Sequence, residues 1–128
     1  MTWLKGVLDD SAGNPALLFM HHLPFQPRIA AMDAIGLREG GGQLRTLLEG
    51  RSDILAVLCG HVHRAIGGVF AGHRAFIAPA VGHQFEFAPM GSDFRIVQEP
   101  AQIALPKVVG GALVSNLVPA PLNRGSGF

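Results

Sequence analysis

The sequence predicts an α/β fold, in which helices and parallel strands alternate first and antiparallel strands follow. Up to residue 63, segments with helical periodicity alternate with short apolar runs in the order helix, strand, helix, strand, which favours parallel strands. Over residues 64–117, short β-prone runs are separated by glycine and proline, which is typical of hairpins. The 128 residues suffice for one domain, assigned to residues 1–117, and the proline- and glycine-rich residues 118–128 are predicted to be a flexible tail.

The first helix and two core strands are predicted from local patterns. Apolar residues at helical spacing predict an amphipathic helix over residues 2–9. Residues 16–20 and 54–58 are continuous apolar runs that each follow a turn signal, and such runs are typical of buried strands.

The segment between these two strands is predicted to be irregular at first and helical later. Two prolines predict a loop over residues 22–28. One or two helical turns are expected over residues 29–35. Three glycines at 40–42 predict a flexible link, and a helix is expected over residues 43–49 because its leucines fall on one face.

The second half is predicted to form antiparallel strands and hairpins. The expected strands are Ile66–Phe70, Arg74–Ile77, Gln84–Phe87, Phe94–Val97, Ile103–Val109 and Ala112–Leu117. Gly72 and His73 fit a two-residue hairpin turn, which would leave His73 exposed to solvent.

Composition and charge exclude several classes of protein. Ten basic and nine acidic residues give a net charge of +1, which provides no strong field for a nucleic acid or an acidic membrane. The mean hydropathy of +0.33 and the 15% of charged residues argue against disorder. No apolar run approaches the length of a membrane span, and the start has no signal-peptide pattern. One cysteine, Cys59, excludes an intrachain disulfide and suits a reducing cytoplasm, which is the expected location.

Histidines follow both predicted core strands. His21 and His22 come directly after residues 16–20, and His61 and His63 follow Gly60 just after the second strand. Ligands collect at the carboxyl ends of strands in open α/β sheets, and neutral imidazole is the commonest protein ligand for metals. The spacing of His61 and His63 allows one ligand for each ion of a two-metal site. A pair of structural, partly buried histidines is the alternative for each motif.

Four segments together resemble one family. They are Leu17–Phe25 (LLFMHHLPF), Met32–Leu37 (MDAIGL), Val57–Arg64 (VLCGHVHR) and Ala78–Phe85 (APAVGHQF). In this order they resemble the calcineurin-like metallophosphoesterases, and within them the cyclic-nucleotide and glycerophosphodiester phosphodiesterases. Leu23 stands where that branch usually has proline.

The resemblance implies a fold, a chemistry and a set of ligands. The expected fold is the C-terminal half of a four-layer α-β-β-α sandwich. The expected activity is hydrolysis of a small-molecule phosphodiester by two divalent ions, Mn, Fe or Zn. By position, His21 and His61 resemble ligands of one ion, and His63 resembles a ligand of the other. His22, Arg64 and His83 are expected near the ligands or the substrate. The alternatives are that His22 takes the place of His21 as the ligand, that Arg64 is solvated, and that His83 has a structural role.

Three of the family's ligand motifs do not occur in this sequence. They are Asp-x-His, Gly-Asp with its bridging carboxylate, and Gly-Asn-His, which precede the His-His motif in the family. We therefore expect a C-terminal half that holds one ion or none by itself and has little activity alone. Half a sandwich leaves apolar strand faces open, so we also expect self-association, most simply as a dimer.

Two other interpretations fit the same residues. The chain is then either a non-catalytic, self-associating remnant of the fold, or a small protein that binds one structural metal through His21, His61 and His63. A closed zinc site needs four ligands, usually with cysteine, and Cys59 is the single cysteine available.

Overall fold

The described part of the chain, residues 1–87 and 95–120 of a computed structural model, contains three helices and eight strands. The helices are α1 (Thr2–Asp10), α2 (Ala30–Asp33) and α3 (Gly41–Leu48). The strands are β1 (Ala16–Met20), β2 (Ile54–Cys59), β3 (Ile66–Phe70), β4 (His73–Ile77), β5 (Gln84–Phe85), β6 (Ile96–Val97), β7 (Gln102–Val109) and β8 (Ala112–Pro119). Mixed α/β structure, with parallel and antiparallel pairing, agrees with the predicted class.

The main sheet has four strands in the order β1-β2-β4-β3. β1 and β2 are parallel, as predicted, and β3 and β4 form an antiparallel hairpin. β4 pairs with β2 in parallel, whereas the strands after residue 63 were predicted to be antiparallel. Two smaller antiparallel sheets, β5-β6 and β7-β8, complete the strand pairing within the described ranges.

The two faces of the main sheet are covered differently. On one face, a large apolar core joins the sheet to the helices through Leu8, Leu18, Leu44, Leu48 and Val57, all buried. On the other face, Ala56 and Leu58 of β2 pack against Leu113 of β8. Alternate residues of β2 thus enter different cores, because successive side chains in a strand lie on opposite sides of the sheet.

The β3-β4 turn differs from the prediction by one residue. Phe70 pairs with His73, so the turn residues are Ala71 and Gly72, with φ of 52° and 84°. Positive φ at both positions is the geometry of a type I′ turn. His73 therefore belongs to β4, is half-buried, and its Nε2 donates to the carbonyl of Leu48 at 2.8 Å. The prediction that His73 is exposed was wrong, because this contact brings the ring against α3.

Several element boundaries also differ. α3 begins at Gly41, and Gly40 is its N-cap residue with φ of 78°, so the predicted flexible glycines instead start the helix. β5 is two residues shorter than expected, and Phe94 of the predicted sixth strand lies outside the described residues. β8 continues through Pro119, and residues 121–128 of the predicted tail are outside the described part as well. Within the described ranges, no helix is both long and apolar enough to cross a membrane.

Candidate metal centre

The carboxyl ends of β1 and β2 place two histidine loops side by side. Met20 and Cys59 are register partners in the parallel pair, so both strands end at the same edge of the sheet. The Gly60 N–H then donates to the carbonyl of His21 at 3.1 Å, which extends the pairing into the loops. This shared edge is where α/β sheets usually bind ligands.

His21 and His61 face each other directly. Nε2 of His21 lies 3.1 Å from Nδ1 of His61, and the ring centroids are 5.0 Å apart. Gly60 permits this approach, because a Cβ at that position would lie 3.3 Å from Nδ1 of His21. The close approach brings together two of the three residues that the sequence predicted as ligands.

His22 completes a cluster of three imidazoles. Its ring centroid is 4.5 Å from that of His61 and 5.3 Å from that of His21. His21 and His22 are exposed, whereas His61 is half-buried. Nε2 of His61 is buried and makes no hydrogen bond of normal geometry within the described residues, although a backbone group of Ile35 lies close enough to affect its pKa.

The loop that carries His61 and His63 has an unusual backbone. Both histidines have positive φ, 75° and 55°, a region that residues with a Cβ rarely adopt. Val62 between them is fully buried, and its N–H donates to the carbonyl of Gly60 at 2.9 Å. Such backbone strain persists only where packing over-determines it, and it concentrates at functional sites.

His63 has contacts of its own, and it also interacts electrostatically with His21 and His61. Its Nδ1 donates to the carbonyl of His83 at 3.1 Å, and its ring stacks on Phe85 with centroids 4.8 Å apart and an interplanar angle of 20°. The His83 ring lies 4.6 Å away from the His63 ring. The structure thus brings His63 and His83 together, as it brings His21 and His61 together.

Both histidines of the second motif are held neutral more readily than a free imidazole. Burial lowers the pKa of His61, and the neighbouring His22 and His21 lower it further. Burial also lowers the pKa of His63, the His83 and His21 rings lower it further, and the hydrogen bond to the His83 carbonyl partly opposes these effects. The neutral form of imidazole is the form that binds metal.

The remaining predicted site residues have defined contacts. Arg64 donates to Glu99 at 2.8 Å, so its guanidinium forms an ion pair within the chain. Cys59 is buried, and burial raises the pKa of its thiol to about 11. Since the thiolate is the ligating form, Cys59 is a poor fourth ligand for a structural zinc.

A cavity of about 600 Å³ adjoins the histidine cluster. It is lined by His22 and His61 and by the segment from Ile35 to Glu39, which includes the exposed Arg38. Residues 32–37 were predicted to matter through the family resemblance alone, and no local pattern pointed to Arg38, Glu39 or the ring of Phe85.

The separation of the two ring nitrogens in the His21–His61 pair matches an N–H···N hydrogen bond and also matches two ligands of one metal ion. Two nitrogens that each lie about 2.1 Å from one ion, at 90–110° to each other, are about 3.0–3.4 Å apart. The 3.1 Å between the two ring nitrogens falls in this range. Within the described residues no group of three or more histidine, cysteine or acidic side chains has the arrangement of a metal site. The described residues therefore offer a candidate pair of ligands rather than a closed site.

Comparison with known proteins gives a consistent set of relatives. The chain is 39% identical over 106 residues to a probable glycerophosphodiester phosphodiesterase of Arcobacter nitrofigilis, a match that covers 82% of this chain and 39% of that one. It is 30% identical over 96 residues to the 3′,5′-cyclic adenosine monophosphate phosphodiesterase of Escherichia coli, covering 75% and 34%. A probable cyclic nucleotide phosphodiesterase of Rhodopseudomonas palustris is 34% identical over 88 residues, covering 68% and 32%.

The matches cover only part of each relative. The aligned segment spans 32–39% of each relative's length. No family model matches the chain.

Proposed function

We propose, on the premise that this chain is a homologue of the glycerophosphodiester and cyclic nucleotide phosphodiesterases of the calcineurin-like family, that it forms part of a metal-dependent phosphodiesterase centre. The observation that carries the proposal is the contact between Nε2 of His21 and Nδ1 of His61 at 3.1 Å. Without an ion, one of these nitrogens must carry a proton to avoid facing lone pairs. With an ion, both nitrogen lone pairs would bind the metal.

Three histidines take ligand roles in this proposal. His21 and His61 hold one ion together, and His63, held by its own contacts to His83 and Phe85, is a ligand of the other. Mn, Fe and Zn all accept imidazole together with carboxylate ligands. Bound divalent ions supply Lewis acidity at the phosphate group.

The carboxylate that a dinuclear centre needs comes from outside the described residues. Two divalent cations about 4 Å apart repel each other strongly unless an anionic ligand lies between them. No described acidic side chain joins the histidines in a metal-site arrangement. We infer that the acidic and further ligands come from a part of the enzyme that corresponds to the unmatched portion of the relatives.

The cavity beside the histidines suits the substrate. Its volume of about 600 Å³ lies within the usual range for small-molecule sites. Arg38 lines this cavity and provides a positive charge for a phosphodiester, and Glu39 beside it provides a negative charge. The relatives' names point to cyclic nucleotides and glycerophosphodiesters as the substrate class.

Open apolar surface supports completion of a larger sandwich or self-association. Phe19 of β1 is 72% exposed, and one face of the β7-β8 hairpin carries exposed Ile103, Leu105 and Val114. In the four-layer arrangement, a second sheet would cover these apolar side chains. In the chain by itself, a second copy of the chain would cover them.

A chimera tests the proposed function. This chain replaces the segment that it matches in the Escherichia coli enzyme, and hydrolysis of cyclic adenosine monophosphate is measured with added Mn²⁺. We expect metal-dependent hydrolysis that His61→Ala abolishes and His73→Ala retains, because His73 contacts α3 rather than the site. A folded chimera that hydrolyses the substrate equally well with His61→Ala would contradict the proposal.

A further inference from the structure

Phe85 and the backbone of His83 form a contact surface that fixes one imidazole of the candidate centre. His63 is held in two directions, by a hydrogen bond along the ring plane and by a stacked ring across it. The hydrogen bond joins Nδ1 of His63 to the His83 carbonyl at 3.1 Å. The stack places the rings of His63 and Phe85 4.8 Å apart at 20°.

We propose that Phe85 is a positioning residue, which together with the His83 carbonyl holds His63 as its Nδ1–H tautomer and leaves Nε2 as the ligating nitrogen. A carbonyl oxygen can only accept, so Nδ1 must carry the proton. In the neutral ring the lone pair is then on Nε2. This inference rests on the proposed role of His63 as a metal ligand.

Further contacts make the segment 80–85 a firm support. Gln84 is 3% exposed, and its amide donates to the carbonyl of Ala80 within the same segment. Residues 84 and 85 pair with Val97 and Ile96 as β5 and β6. Two residues before this segment, the Ala78 N–H donates to the carbonyl of Cys59 at 2.8 Å, which ties the chain there to the end of β2.

Backbone strain at His63 explains why such support is needed. His63 has φ of 55°, a conformation that costs free energy for a residue with a Cβ. Contacts beyond the ligands that fix the tautomer and orientation of a ligating imidazole typically change metal affinity 10- to 100-fold when removed. The stack on Phe85 restricts rotation of the ring, and the carbonyl selects its protonated nitrogen.

The test reads the tautomer of His63 directly in the metal-free chain. Long-range ¹H–¹⁵N spectra of the imidazoles distinguish the two tautomers at pH 8. We expect His63 almost entirely as the Nδ1–H form. Phe85→Leu removes the stacked ring and should raise the Nε2–H population several-fold, while Phe85→Tyr should keep the wild-type pattern.

A matched control and a second measurement complete the design. Phe87→Leu makes the same change at a neighbouring phenylalanine that is 59% exposed, and should leave the tautomer unchanged. If Phe85→Leu does not fold, the chemical shifts of the His63 ring protons in the wild-type chain test the stack instead. Stacking on Phe85 should shift these protons upfield. In the chimera described above, Phe85→Leu should weaken Mn²⁺ affinity about 10-fold, whereas Phe87→Leu should not.

The outcomes separate this inference from the proposed function. His63 as the Nε2–H tautomer in the wild-type chain, no upfield shift, or a Phe85→Leu spectrum like that of the wild type would each overturn the positioning role. If the chimera's activity does not depend on metal while His63 is still the Nδ1–H tautomer, the ligand role alone would be overturned.

Discussion

Gly68→Ala tests whether Phe25, in the loop that follows His21 and His22, packs closely against β3 at Gly68. A Cβ at Gly68 would lie 2.8 Å from Cε2 of Phe25 and 3.2 Å from two further ring atoms. The ring would have to move by roughly 0.6 Å to restore ordinary contact at about 3.4 Å. Overpacking of this kind costs about 1–3 kcal/mol, and the reduced freedom of the unfolded chain returns about 0.4–1 kcal/mol. We expect a net loss of about 0.5–2 kcal/mol in the free energy of unfolding.

Gly67→Ala is the matched control for this prediction. Gly67 is the adjacent residue of β3, and a Cβ there meets nothing within 4 Å. Urea unfolding should therefore find Gly67→Ala as stable as the wild type or slightly more stable. Phe25→Leu should recover part of the loss when combined with Gly68→Ala, because it removes the obstructing ring. Equal stability of the two alanine variants would refute the packing argument.

Two further predictions concern the histidines and the open apolar surface. The pKa values of His61 and His63 are lowered, so the unfolded chain takes up protons first as the pH falls below about 6.5. In metal-free buffer the free energy of unfolding should therefore fall on acidification from pH 7 to 5, and His61→Gln should reduce this slope. An equal slope in both proteins would contradict the assigned environment. Light scattering should find the chain self-associated, and Leu105→Lys should shift it toward the monomer, because Leu105 is 51% exposed on β7. A monodisperse wild-type monomer would contradict this.

Local patterns predicted the two core strands and the place of the histidines. Residues 16–20 form β1 as predicted, and β2 extends its predicted range by one residue, to Cys59. Continuous apolar runs bounded by turn signals are local features, and parallel pairing follows from the helices between them. The meeting of His21 and His61 is then a consequence of two parallel strands ending together.

Non-local strand pairing and individual side-chain contacts could not be predicted from local sequence patterns. The parallel pairing of β4 with β2 depends on which sheet edge the hairpin joins, and no local pattern encodes that choice. The turn at Ala71 and Gly72 was misplaced because alanine rarely adopts a positive φ. The stack of His63 on Phe85 joins residues 22 positions apart through a strand of two residues, too short to leave a periodic signal.

Zinc titration of the metal-free chain tests the central claim most directly. Imidazole ¹H–¹⁵N spectra are recorded while Zn²⁺ is added to the wild type, His21→Ala and His73→Ala. The contact of 3.1 Å between the two ring nitrogens predicts that His21 and His61 respond together, with one affinity and no more than one ion per chain. His21→Ala should weaken the response of His61 at least 10-fold, and His73→Ala should leave it unchanged. Independent responses of His21 and His61, or an unaltered His61 response in His21→Ala, would show that the two rings do not share an ion.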